Sequence, residues 1–189
     1  MSRELFVYDP PERFVAGTVG LPGHRTFYLQ AADAGGRITS VALEKEQVEA
    51  LAERLDDLLD EVVRRSGGAA PVPAIAPLEL ADDKPLEQPV FEEFRVAALA
   101  LAWDGETQRV VIEAMAPMEG EGEPPLGDME ADGPPTMVVR LTGAQARAFT
   151  SRAKAVVSAG RPPCPFCSLP LDPDGHVCPR SNGYRRRAA

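Results

Sequence analysis

Twice in this chain a strand-like run passes directly into an amphipathic helix, and the two junctions align without a gap, Val41-Ala-Leu-Glu-Lys-Glu-Gln47 over Val139-Arg-Leu-Thr-Gly-Ala-Gln145. Each junction closes a similar series. In the first half, Arg13–Val19, His24–Gln30 and Arg37–Leu43 are strand-like and are separated by Leu21-Pro-Gly23 and Asp33-Ala-Gly-Gly36, which predicts an antiparallel meander. Val48, Leu51, Ala52, Leu55, Leu58, Leu59 and Val62 then recur at intervals of three and four, marking a helix over about 45–65 that ends near Ser66-Gly-Gly68. The second half repeats that order with Phe94–Trp103, a turn at Asp104-Gly105, Arg109–Met115 and Thr136–Leu141. Thr142 with Gln145 three residues on is a capping-box pattern, and Ala146, Phe149, Ala153, Val156 and Val157 supply the apolar stripe of a helix that stops at Gly160. The expectation is an α+β fold whose body, residues 1–160, consists of two pseudo-symmetric antiparallel strand-strand-strand-helix units at about 1–66 and 91–160.

Two stretches depart from this plan. Residues 67–90 carry five prolines, at 71, 73, 77, 85 and 89, and read as a linker that wraps the surface or stays mobile, with Leu78-Glu-Leu80 able to add a short edge strand. From Pro117 to Pro135 there are six acidic residues, no basic ones and too little apolar content to pack. That composition suits a solvated hairpin loop, or an acidic lure for a basic partner or for the chain's own arginine tail.

All three cysteines fall near the C-terminus, in Cys164-Pro-Phe-Cys167 and, after eight residues, His176-Val-Cys178. Structural zinc favours four thiolate and imidazole ligands in a tetrahedron. The two-residue spacing of the first pair suits a tight knuckle, and the one-residue spacing of His176 and Cys178 puts both on one face of an extended segment. Asp172-Pro-Asp-Gly175 is a turn signal that folds the second pair back toward the first. These residues predict a small zinc knuckle or ribbon in a C-terminal module, residues 161–189, with Cys164, Cys167, His176 and Cys178 closing the coordination sphere of a structural Zn2+ ion. A redox Cys-x-x-Cys and a disulfide compete with this reading. The first usually opens a helix, which prolines at 162, 163, 165 and 170 oppose. The second fits poorly with an odd cysteine count and a charged N-terminus without a signal peptide.

Charge separates the two parts. The formal net charge is −9, but residues 1–160 hold 15 Lys and Arg against 27 Asp and Glu, whereas residues 161–189 hold five Arg against two Asp. A mildly basic tail on an acidic body makes Arg180, Tyr184, Arg185, Arg186 and Arg187 the candidate partner contacts, and a cytoplasmic interaction or regulatory module the expected function. Single-stranded nucleic acid is the alternative ligand, since cations and one ring can meet phosphate and base, but the acidic body opposes a wide binding surface. An enzyme with a site in the cleft between the units is a further alternative. It has little to draw on: His24 is the one histidine outside the cysteine cluster, no phosphate-loop pattern occurs, and Asp9, Glu12 and Arg13 around Pro10-Pro11 read first as an ordinary polar loop. No segment has the length and apolarity of a membrane helix.

The opening Phe6–Gly20, the junction Val41–Gln47 and the ending Cys164–Arg186 together resemble an actinobacterial family of the DUF3090 type, over nearly the full length. That resemblance implies a cytoplasmic protein from a high-GC actinobacterium, encoded near a phosphoinositide-kinase-like and a histidine-phosphatase-like protein. The Cys and His positions match the family pattern. It implies no activity, so no catalytic residue is carried over.

Overall fold

Side-chain alternation turns the apolar runs of this chain into sheets, and the helices cover the faces those sheets leave apolar. A computed structural model describes residues 3–21, 23–118, 132–160, 164–167, 171 and 178. Its elements in chain order are β1 (Leu5–Tyr8), β2 (Arg13–Val19), β3 (Thr26–Ala32), β4 (Ile38–Leu43), α1 (Lys45–Arg65), a 3-10 turn at Leu78–Leu80, β5 (Glu92–Arg95), β6 (Ala98–Asp104), β7 (Arg109–Met115), β8 (Thr136–Leu141) and α2 (Gly143–Ser158). The α+β class is as expected. The sheets, however, are mixed and four-stranded, in the orders β2-β3-β4-β5 and β1-β8-β7-β6.

The fourth strand of each sheet comes from the other half of the chain. β1 lies parallel to β8, with Leu5 opposite Thr136, and β5 lies parallel to β4, with Ser40 opposite Glu92. The remaining pairs are antiparallel. The apolar run Phe94–Trp103, expected as one strand, is therefore two. At the break the Val96 N–H bonds Ala42 O at 2.8 Å and the Ala97 N–H bonds Met115 O at 2.8 Å, so consecutive residues serve different sheets. Leu78–Leu80, a possible edge strand by sequence, forms a 3-10 turn instead.

Both helices start as their junctions predict. The Thr142 hydroxyl accepts from the Gln145 N–H, and the Gln145 side chain accepts from the Thr142 N–H at 2.9 Å. Gln47 accepts from the Glu44 N–H at 2.8 Å in the same way. Each cap satisfies amides that the helix itself leaves unpaired. Phe14 and Ala16, Phe27 and Leu29, Val110 and Ile112, and Met137 and Val139 alternate onto the inner faces, where Leu51, Leu55 and Leu59 of α1 and Phe149 and Ala153 of α2 complete one buried cluster. Phe14 and Phe149 stack with ring centroids 4.6 Å apart. Full burial of each such side chain contributes about 1.5–3 kcal/mol, against which its ordering must be set. A polar tie joins the sheets: Tyr8 of β1 donates its hydroxyl to Thr39 Oγ1 of β4 at 2.7 Å, and Arg37 lies over the Tyr8 ring. Burial raises the Tyr8 pKa above its ordinary value, so the hydroxyl stays a donor.

The proline-rich segment is fastened to the body. Leu86 is 5% exposed and lies where a Cβ on Gly17 would come within 2.6 Å of its Cγ and Cδ2. Glu87 and Gln30 exchange hydrogen bonds, N–H to Oε1 at 2.7 Å and Nε2 to O at 3.2 Å. Earlier in the segment, a Cβ on Gly143 would meet Pro71 O at 2.8 Å. Glycine at both sites thus admits a strap of backbone and side chain that any larger residue would displace.

Candidate metal centre

A cysteine thiol can serve a metal only if its neighbours approach without bonding to one another. Cys164, Cys167 and Cys178 bring their sulfurs within 4.8 Å of one another, and all are free thiols. Cys164 Sγ and Cys178 Sγ are 3.8 Å apart. A disulfide requires about 2.05 Å, so this separation excludes a bond between them. It equals, within about 0.1 Å, the edge of a tetrahedron whose metal–sulfur bonds are about 2.3 Å.

The knuckle is formed by a turn over residues 165–167. In it the Phe166 N–H points at Cys164 Sγ, 3.5 Å away. Metals bind cysteine through this sulfur. Cys164 and Cys178 are 4% and 5% exposed, while Phe166 is 64% exposed, so the sulfurs face inward and the intervening ring outward. Three sulfurs so placed can hold a metal ion. His176, the expected fourth ligand, and Arg180, Tyr184, Arg185, Arg186 and Arg187 lie outside the described residues. So does most of the acidic stretch, residues 119–131.

Of the other polar side chains singled out in the sequence, Asp9 and Arg13 hold the body together, whereas Glu12 is exposed. His24 is exposed in the turn before β3. Asp9 pairs with Arg109 at 3.1 Å and lies 3.7 Å from Arg140. Arg13 donates to Asp82 at 2.6 Å and to the Lys84 and Pro85 carbonyls. Arg152 of α2 grips the same strap through Asp82 and Lys84 O while donating to Ala16 O of β2 at 2.8 Å. The hydrogen bond from Arg13, opposed by partial burial, holds the Asp82 carboxyl below the usual carboxylate range.

A second polar cluster clamps the helices. Asp56 of α1 accepts from Arg147 at 2.7 Å, from Thr150 at 3.0 Å and from Lys154, all of α2. Partial burial would raise the Asp56 pKa, but the hydrogen bonds from Lys154, Arg147 and Thr150 outweigh it and the pKa falls. Arg147 also reaches Asp60 and, at 3.2 Å, the Pro73 carbonyl. A cleft of about 610 Å³ between the helices is lined by charges of both signs, among them Arg25, Lys45, Glu49 and Lys154. Arg25 is bonded to Ala159 O and Lys154 to Asp56, so these cations brace the helices.

Among the described residues the fold and the cluster define an α+β arrangement of two mixed sheets and two helices, with a C-terminal three-cysteine site able to hold a metal ion. A family model described as a protein of unknown function, DUF3090, matches residues 6–178, and the chain belongs to that family. Among curated proteins and among solved structures nothing matches. No helix among the described residues is long and apolar enough to cross a membrane.

Proposed function

We propose that Cys164, Cys167, His176 and Cys178 hold a structural zinc ion, and that the module they close is a cytoplasmic interaction element offering Arg180, Tyr184, Arg185, Arg186 and Arg187 to a protein partner with an acidic face. The 3.8 Å separation of Cys164 and Cys178 carries the metal reading, because it suits a tetrahedral thiolate site and no disulfide. Zinc is favoured by its preference for thiolate and imidazole in four-coordinate sites. Four protein ligands leave no open position, which supports structure over catalysis. A reducing compartment keeps the thiols available. The contrast between the acidic residues 1–160 and the basic residues 161–189 supports the tail as the contact surface.

Metal analysis of the full-length protein purified without chelator tests the first part. About one zinc per chain is expected, with release on chelation that opens the chain to protease beyond Gly160 while the helical circular dichroism is retained. Protein free of metal, with no thiolate charge-transfer band on addition of cobalt, would refute it. For the second part, replacing Arg185, Arg186 and Arg187 by Ala should abolish capture of an acidic protein partner while zinc content is unchanged. Salt-sensitive binding of single-stranded nucleic acid through those arginines would instead transfer the tail to that ligand class.

A further inference from the structure

Strand alternation sends Ile112 and Ala114 of β7 and Met137 and Val139 of β8 into the core, so Glu113, Met115, Thr136 and Val138 point out from the opposite face of their sheet. That face is nevertheless covered at one end. Met115, Thr136 and Val138 are 0% exposed and Glu113 is 6% exposed, whereas further along the same face Val111 and Arg140 are only half-buried and Ala102 is exposed. Both helices pack on the core side. Among the described residues, Arg3 donates to Thr136 Oγ1 at 3.0 Å and Thr136 in turn donates to Pro134 O at 3.0 Å, but no helix or strand lies over Val138 and Glu113. A single chain buries these side chains, so its own residues do the covering.

Two stretches are long enough to supply the cover, and their chemistry differs. Residues 119–131 bring five carboxylates, no cation and two large apolar side chains, Leu126 and Met129. Over Glu113 such a cover adds like charge where a buried carboxylate needs a cation or a hydrogen-bond donor. Residues 161–189 bring five arginines against two aspartates, with Leu169, Leu171 and Val177 as apolar contacts. The described part of that stretch faces inward: Cys164 and Cys178 are buried and Leu171 is half-buried.

The chain also leaves α2 at the right end of the body. Arg25, just before β3, donates to Ala159 O at 3.0 Å, and Phe27 of β3 lies opposite Leu43 of β4. From there the Val96 N–H reaches Ala42 O and the Ala97 N–H reaches Met115 O. The end of α2 and Met115 therefore share one end of the two sheets, four strand spacings or about 20 Å apart, a distance that about six extended residues span. We infer that the module of residues 161–189 is docked on the outer face of the β1-β8-β7-β6 sheet, over Met115 and Val138, with one of its arginines meeting the Glu113 carboxylate. The inference deepens, and rests on, the reading of these residues as a zinc-closed interaction module: its first partner is an acidic spot on its own body. The ion that closes the module then also keeps this sheet face shut.

Met115 and Met137 provide a paired test, since both are 0% exposed and they point to opposite faces of one sheet. A brief hydroxyl-radical pulse on the full chain, read by mass spectrometry, should leave both methionines unoxidised. After chelation, oxidation of Met115 to the sulfoxide should rise by about tenfold or more while Met137 stays protected. Met115 still protected once the cysteines have become open to alkylation overturns the inference. Glu113→Lys, which sets a cation against the module's arginines, should expose Met115 without chelator and without loss of zinc. If that variant also oxidises at Met137, its sheet has unfolded, and Glu113→Gln, which keeps the shape and removes the charge, takes its place with the same expectation. Met115 protected in the folded Glu113 variant overturns the inference. A Gly-Ser stretch of equal length in place of residues 119–131 should leave Met115 protected; oxidation there gives the face to the acidic stretch and overturns the inference equally. Protein without zinc refutes the metal reading alone, because the Glu113 variants still decide the docking.

Discussion

The contact between Leu86 and Gly17 makes the strap testable as a double-mutant cycle. Leu86→Ala removes a side chain that is 5% exposed, and because it sits on a surface segment able to settle, the cost belongs at the low end for buried leucine, about 2 kcal/mol. Gly17→Ala places a methyl within 2.6 Å of Leu86 Cγ and Cδ2. The Cγ cannot swing away as a side-chain tip can, so the strap must lift, at a cost of about 1–3 kcal/mol. If each substitution acted alone, the pair would lose about 3–5 kcal/mol. In the Leu86→Ala background, however, both clashing atoms are gone, and Gly17→Ala then gains about 0.5 kcal/mol from reduced freedom of the unfolded chain. The double variant should thus lie about 1.5 kcal/mol below wild type, about 3–6 °C in Tm, with a coupling of about 1.5–3.5 kcal/mol. Urea unfolding followed by circular dichroism and by the fluorescence of Trp103 measures all four corners. Additivity to within about 0.5 kcal/mol would falsify the packing of Leu86 on Gly17.

Other consequences follow from the polar ties. Tyr8→Phe leaves Thr39 Oγ1 without its donor in a buried site and should cost about 1 kcal/mol in urea unfolding; a neutral result would mean that the tie between sheets contributes nothing. Arg147→Met, which takes the guanidinium from Asp60 and Asp56 while Thr150 and Lys154 still hold Asp56, should cost about 1–3 kcal/mol, and Arg147→Lys should recover only part of it because one ammonium cannot replace the forked contacts. Asp56 and Asp82 both have depressed folded-state pKa values, so the stability they confer is present above their unfolded pKa near 4 and is lost as pH falls through the folded values. Asp82→Asn should flatten that acid-side loss, and an unchanged pH profile would remove Asp82 from the account.

The helices were open to reading because their signals are local. Leu51, Leu55 and Leu59 repeat within a few residues, and Thr142 and Gln145 cap within one turn. β7 and β8 were legible for the same reason, each a β-branched run with clear ends. β1 was not. Four residues that pair in parallel with a strand far along the chain leave no periodicity for a short window to detect. The break after Arg95 was hidden because Val96 and Ala97 are as apolar as their neighbours, and only their hydrogen bonds to different sheets separate β5 from β6. Composition marked residues 67–90 as a linker but gave no sign of its anchors. Those are Arg13 and Arg152, which lie 69 and 70 residues from Asp82 in sequence. The cysteine spacing, by contrast, pointed directly to the cluster that Cys164, Cys167 and Cys178 form.

The pairing of β1 with β8 has a consequence for how this protein is made. During synthesis the N-terminal strand leaves the ribosome on the order of ten seconds before its neighbour exists, at about 5–20 residues per second. Throughout that interval β1 has no strand to pair with, while β4 waits for β5. A ribosome that stalls after the first helix therefore holds a nascent chain with an unfinished sheet. The sheet that holds β1 is complete only when β8, the last strand among the described residues, has been made.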